Sequence, residues 1–335
     1  MILFPMTPEQ KTKVGTPVVP RSKVDPTRSA KQVTEMYRDI EERYLGIKRA
    51  LKALFDQQLT GREREVNSHN WHFLCHDNGA DMRLYQVNAG KFIYDMSAQE
   101  LADLLEAVQG ILDDYLLDGG EQNLWAMDYV VAEAQRGTLE AFNNLSQQSQ
   151  VYASQTTLQQ LLSSPGYLNQ IAAARLTTFS DWKVISDTAR GDLTNIITDA
   201  VARGVNPRET ASVISKRLDV SMSKAKNIAQ TEQVGALREA QWNETEWASD
   251  RLGLNTGLLH LSALKPTTRQ THAFWHGKVR TVQAVRDWYA IDGNKYHCYC
   301  GQIPVLLNED GSIFNEGLAD KLKKERQQWA TKEAA

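Results

Sequence analysis

Between residues 260 and 307 the chain places His260, His272, His276 and His297 together with Cys298 and Cys300, four of its seven histidines and two of its three cysteines. Imidazole nitrogen and thiolate sulfur are zinc ligands, and zinc takes four of them in a tetrahedron. On an extended segment Cys298 and Cys300 project to one side, because strand side chains alternate. His272 and His276 share a face if their segment is helical. A His/Cys site is therefore geometrically open, with His272, Cys298, Cys300 and either His276 or His297 as ligands. The competing reading is a small core whose histidines are hydrogen-bonded across the two segments. Cys-x-Cys departs from the common Cys-x-x-Cys spacing, and the chain has no second cysteine pair. No cofactor is required by the sequence, and zinc is the metal such a set would take.

Other chemistries find less support. His272-Ala-Phe-Trp-His276 copies the spacing of a His-Glu-x-x-His metalloprotease helix, but Ala273 stands where the general base must be. No Gly-rich phosphate loop ending in Lys-Ser/Thr occurs, and no Gly-x-Ser-x-Gly elbow. Glu232, beside Thr231, is a single carboxylate on a helix and reads as a paired surface acid. Arg269 and Lys278 have the charge to meet phosphate, yet pairing with Glu232 or Asp292 is the preferred expectation. His69, His72, Cys75 and His76 lie among Trp71, Phe73 and Leu74, so packing is their expected role.

The elements that must hold this segment are mostly helical. Val33, Ile40, Ile47 and Leu54 recur every seven residues, with Tyr37, Tyr44 and Leu51 four residues after the first three. That is one apolar seam on a long helix, fit for its own core or for docking a partner. Arg83–Tyr94 alternates about Asn88-Ala89-Gly90, a hairpin signal. Ser97 with Glu100 forms a capping box ahead of a leucine-rich helix that Gly119-Gly120 ends. Helical patterns follow over 121–149 and 152–162. Pro165-Gly166 breaks the chain, and a helix from Ser180 stops at Gly204. Asn206-Pro207 starts the next helix, and Ser221 or Ser223 caps a further, Ala-rich one. Leu258–Leu264 and Gln302–Leu307 read as strands, with a turn at Asn308–Gly311.

With 335 residues, 37.8 kDa and 41% hydrophobic residues, the chain can bury a sizeable core. A net charge of −3 disfavours a surface built only to coat nucleic acid. No apolar run reaches the roughly 18 residues of a membrane span, and the opening Met-Ile-Leu-Phe-Pro is too short for a secretory signal. The odd cysteine number argues against a disulfide framework and fits a reducing compartment. The expected fold is mainly α: an elongated helical body and a small α+β C-terminal module with short antiparallel strands. Its expected parts are an extended Pro-rich arm (1–31), the body with a hairpin near 83–95 (32–204), the module (205–313) and a polar C-terminal helix (314–335).

Three pieces of the module carry a family likeness. Ala225-Lys-Asn-Ile-Ala-Gln-Thr-Glu232, Thr268-Arg-Gln-Thr-His-Ala-Phe-Trp-His-Gly-Lys278 and Cys298-Tyr-Cys300 running into a Pro-Val strand occur in order. Together they resemble the Mu F-like minor head proteins, or head morphogenesis proteins, of tailed bacteriophages. The likeness covers about 205–310. Two positions depart from the family pattern: Lys265 replaces an acidic residue seven before His272, and Gln230 replaces an Arg before Thr231-Glu232. The resemblance implies a structural, non-enzymatic protein of the virion, present in multiple copies inside the capsid or at the portal vertex and in the host cytoplasm during assembly. Its implied partners are the portal protein, other head proteins and genomic DNA during packaging or ejection, with no membrane. The body would dock through Val33, Ile40, Ile47 and Leu54, while Thr231, Glu232, Arg269 and Lys278 form a polar network in the module. The alternative is a metal-dependent hydrolase or toxin-like enzyme using the same His/Cys set. A DNA-binding module, marked by steep salt dependence, is a third reading.

Overall fold

The computed structural model describes residues 15–59, 61–63, 92–94 and 96–333. In chain order the elements are α1 (Ala30–Gln58), β1 (Gly61–Glu63), β2 (Phe92–Tyr94), α2 (Ala98–Leu116), α3 (Gly120–Asn123), α4 (Met127–Gln148), α5 (Gln150–Gln155), α6 (Leu158–Leu162), α7 (Pro165–Arg203), α8 (Pro207–Leu252), β3 (Thr256–Leu261), α9 (Gln270–Trp275), β4 (Val279–Arg280), α10 (Val282–Ala290), β5 (Gly301–Leu306) and α11 (Glu316–Glu333). The fold is mainly α, with a small antiparallel sheet towards the C-terminus, in line with the apolar periodicity. His69, His72, Cys75, His76 and most of the expected 83–95 hairpin lie outside the described residues. Of that hairpin Phe92–Tyr94 is described, paired antiparallel with Gly61–Glu63.

Local signals account for several helix ends. Ser97 and Glu100 close a reciprocal capping box at the start of α2. Asn206 Oδ1 accepts from the Arg208 N–H at the start of α8. Two helices run further than their local signals predict. Pro165 occupies the first turn of α7, where its missing N–H costs nothing, so the helix begins there and not at Ser180. The α8 helix passes through Ser221 and Ser223 without a break. The Ser223 hydroxyl bonds back to the Asp219 carbonyl, and Ser221 Oγ meets Tyr44 Oη at 2.7 Å. Both hydroxyls are satisfied with the helix intact, so neither acts as a cap.

The chain divides into two compact units, one of residues 40–118 and 181–225, the other of the segment up to 39 with 119–180 and 226–335. The first is a helical bundle with Ile40, Tyr44, Ile47, Leu51, Leu104, Val108, Leu112, Leu116, Trp182, Leu193 and Ile197 buried. Ser186 Oγ donates to Asp113 at 2.7 Å, joining α7 to α2. The heptad seam is largely internal: Val33, Ile40 and Ile47 are buried in the chain itself and Leu54 is half-buried. An amphipathic helix that buries its stripe in this way spends it on its own core.

The second unit contains the sheet, in the order β4-β3-β5, with both pairings antiparallel. The alternation of β3 separates two cores. Leu258 joins Trp242, Val285, Tyr289, Cys298 and Cys300, whereas Leu259 and Leu261 join Ile303, Val305, Leu318 and Leu322. One face is thus covered by α8 and α10 and the other by α11. Edge strand β5 contains Pro304, which has no N–H to give. Its outer edge is closed by the Gln148 side chain on α4, which donates to the Pro304 carbonyl at 2.9 Å and accepts from the Leu306 N–H at 3.1 Å. Helices α4 and α8 pack closely at Gly137, where a Cβ would lie 2.3 Å from the Leu237 carbonyl oxygen. The described part of the Pro-rich arm lies on this unit. Asn144 exchanges hydrogen bonds with the Val18 backbone, and Arg136 donates to the Thr27 carbonyl at 2.8 Å.

Candidate functional site

Helix α9 and the segment entering β5 meet over the face of the sheet that carries Leu258 and His260. His272 Nδ1 lies 3.3 Å from Cys298 Sγ and 3.5 Å from Cys300 Sγ. The three donor atoms fall within 4.8 Å of one another. All three side chains are sealed: His272 is 2% exposed, Cys298 4% and Cys300 2%. The period-two projection expected for Cys298 and Cys300 therefore holds, and it brings both sulfurs to the same imidazole nitrogen.

Arg238 on α8 closes the site from the other side. It is fully buried, and its guanidinium donates to the Cys300 carbonyl at 2.9 and 2.7 Å, to the Cys298 carbonyl at 2.9 Å and to Cys298 Sγ at 3.2 Å. The planar fork reaches acceptors a lysine could not reach together. Its carbon also lies 4.4 Å from the centroid of the Tyr289 ring. Cys298 Sγ accepts a second N–H, from Cys300 at 3.4 Å. Burial opposes ionisation of Cys298, but the hydrogen bond with Cys300, the charge of Arg238 and His272 outweigh it and hold this thiol well below the usual range. Its bond to Cys298, then burial, pushes the Cys300 thiol well above that range.

A belt of aromatic and amide groups fixes these positions. Trp275 and Trp288 stack at 4.6 Å between centroids, and the His272 ring meets Trp288 edge-on at the same separation. His260 and Gln302 face each other across β3 and β5, with Gln302 Nε2 3.0 Å from His260 Nδ1. Gln302 also donates to Tyr289 Oη at 3.0 Å and accepts from the Trp242 indole at 3.1 Å. Burial holds His260 down to about 3, so it is neutral in this belt.

Residues 192–303, which supply Arg238, His272, Cys298 and Cys300, match the family model described as phage Mu protein F like protein. Over these residues the chain is similar to the phage Mu F-like family. No curated protein and no solved structure matches the chain.

Within the Mu F-like segment, the candidate residues divide. His272, Cys298 and Cys300 converge. His276 does not join them: its Nδ1 accepts from the Ser262 N–H at 3.0 Å, and its Nε2 lies 3.5 Å from Glu325 on α11. Burial lowers its pKa despite that carboxylate, so the contact is one of a neutral ring. His297 is exposed, in a left-handed conformation (φ +51°) at the turn into Cys298. The residues of the expected polar network have the following surroundings. Among the described residues Arg269 pairs with no carboxylate; it donates to the Gly293, Asn294 and Tyr296 carbonyls, each at 2.9 Å. Left-handed Asp292 and Gly293 turn those carbonyls together, and the arginine thereby fixes the loop that leads to Cys298. Lys278 lies over the Phe274 ring. Thr231 bonds to the Asn227 carbonyl within α8, and Glu232 lines a cavity of about 550 Å³ with Ala134, Thr178, Glu239 and Asn243.

Sequence reasoning missed Arg238, Tyr289, Trp288 and the His260–Gln302 pair. A signal for Arg238 was present. It shares a helix face with Val234, Gln241 and Thr245, all buried, so the spacing of α8 puts a charge inside. The Trp-rich partners had no such signal, because they come from segments that only the sheet brings together.

Proposed function

We propose that this chain is a structural minor head protein of a tailed bacteriophage, held inside the capsid at the portal vertex and assisting head assembly, genome packaging or delivery. One observation carries the reading: the Mu F-like match falls on the segment whose converging imidazole and thiols, His272, Cys298 and Cys300, are closed from solvent. A catalytic zinc or thiol keeps a position open to substrate, whereas a structural site is closed on all sides. His272, Cys298 and Cys300, each at most 4% exposed, fit the second kind. In this reading the module is a rigid piece that fixes α11 against the sheet, through the Arg326 bond to the His276 carbonyl at 2.8 Å and the Trp329 indole bond to the Lys265 carbonyl at 3.1 Å.

The test is in the particle. The chain is expected in purified heads and virions by mass spectrometry, and it is expected to co-sediment with portal oligomers when the two are produced together. Replacing Cys298 and Cys300 by Ser should reduce its incorporation. Its absence from particles, or particles of normal content and infectivity without it, would overturn the proposal.

A further inference from the structure

We propose that His272 Nδ1, Cys298 Sγ and Cys300 Sγ bind a zinc ion that staples α9 to the entry of β5. Zinc holds nitrogen at about 2.0–2.1 Å and thiolate sulfur at about 2.3 Å, so a tetrahedral angle sets a nitrogen–sulfur edge of roughly 3.5 Å. The two edges present are 3.3 and 3.5 Å. Hydrogen bonds to Arg238, the Cys300 N–H and Ser262 Oγ serve the sulfurs without a metal, but they do not account for both sulfurs standing against one ring nitrogen. One imidazole nitrogen carries either one proton or one lone pair and can make a single hydrogen bond, yet two sulfurs stand against it. A shared cation between the three atoms satisfies all of them.

The surroundings of the sulfurs point the same way. Cys298 Sγ receives two N–H groups, from the Cys300 backbone and from Arg238. Donors aimed at sulfur are the outer-shell support that metal-bound thiolates take. Without metal the Cys300 thiol donates to Ser262 Oγ at 3.6 Å, which sets that hydroxyl beside the three donors and makes it the protein group nearest to hand for the fourth position. His276 and His297 are excluded from it, the first by its bond from Ser262 and the second by its exposure. The inference concerns the architecture of the module and holds whether or not the chain enters a phage head.

The experiment uses the full chain, purified under reducing conditions and dialysed against chelator-treated buffer. Elemental analysis is expected to find about one zinc per chain. Exchange into Co²⁺ should give intense visible bands of tetrahedral coordination with sulfur-to-metal charge transfer. Strong chelation should lower the thermal midpoint, and added zinc should restore it. His272→Asn and Cys298→Ser are expected to lose metal at least about tenfold, whereas Cys75→Ser, at a thiol outside the described residues, should keep it. A wild-type chain with neither zinc nor a cobalt–thiolate band would overturn the proposal, as would metal retained by His272→Asn and lost by Cys75→Ser. If the site variants do not fold, the wild-type cobalt spectrum alone decides.

Discussion

Replacing Arg238 with Met keeps the aliphatic stem in the core and deletes only the fork. The guanidinium serves the Cys298 and Cys300 carbonyls and Cys298 Sγ, all buried. Leaving a buried acceptor unpaired costs about 1–3 kcal/mol, and two carbonyls therefore cost about 2–6 kcal/mol. Relief from holding a buried charge offsets part of this, while loss of the cation over the Tyr289 ring adds to it. A net loss of about 3–5 kcal/mol is the size found when one member of a buried ionic set is removed. Chains built of more than one compact unit are poor subjects for a single unfolding free energy, so the readout should be local. Hydrogen exchange of peptides covering 296–307 reports opening of β5 directly. At about 1.4 kcal/mol per tenfold, protection should fall between about a hundredfold and a few thousandfold. Arg238→Lys should recover less than half of that loss on the free-energy scale, because one ammonium cannot span the three acceptors. Exchange within tenfold of wild type in Arg238→Met, or full rescue by Lys, would refute the reasoning.

Two further outcomes test other parts of the structure. Tyr152 Oη donates to buried Glu244 Oε1 at 2.5 Å, and burial raises the Glu244 pKa while the tyrosine partly lowers it. The folded chain thus holds that proton more tightly than the unfolded one, so the contribution is most favourable below the ordinary carboxylate range and declines as pH rises through the raised folded value. Tyr152→Phe should cost about 1–3 kcal/mol near pH 7 and less near pH 4, and Glu244→Gln should flatten the profile, as read from hydrogen exchange of peptides covering 145–155 across that range. Gly277 has φ +74°, and a Cβ there would stand 2.7 Å from Leu322 Cβ on α11. Gly277→Ala should therefore cost about 1–3 kcal/mol and loosen α11, seen as faster proteolysis within 316–331; equal rates in the two chains would contradict this contact.

Local physics wrote much of this protein into its sequence. The stripe of α1, the capping box of α2, the glycine stops and the short apolar runs of β3 and β5 depend on neighbours a few residues away, and so did the likeness of three motifs to Mu F-like proteins. What the sequence left open is set by long-range contact. Ser221 caps nothing because Tyr44, 177 residues earlier, takes its hydroxyl. The apolar seam suited an external partner as well as an internal one until folding buried Val33, Ile40 and Ile47. The sequence set His272 with the two thiols and left His276 and His297 as alternatives for the remaining ligand. Only the packing of α9 over the sheet turns the first towards the two thiols, hands the second to Ser262 and leaves the third in solvent, since a ligand is defined by where its lone pair lies and not by how far along the chain it stands.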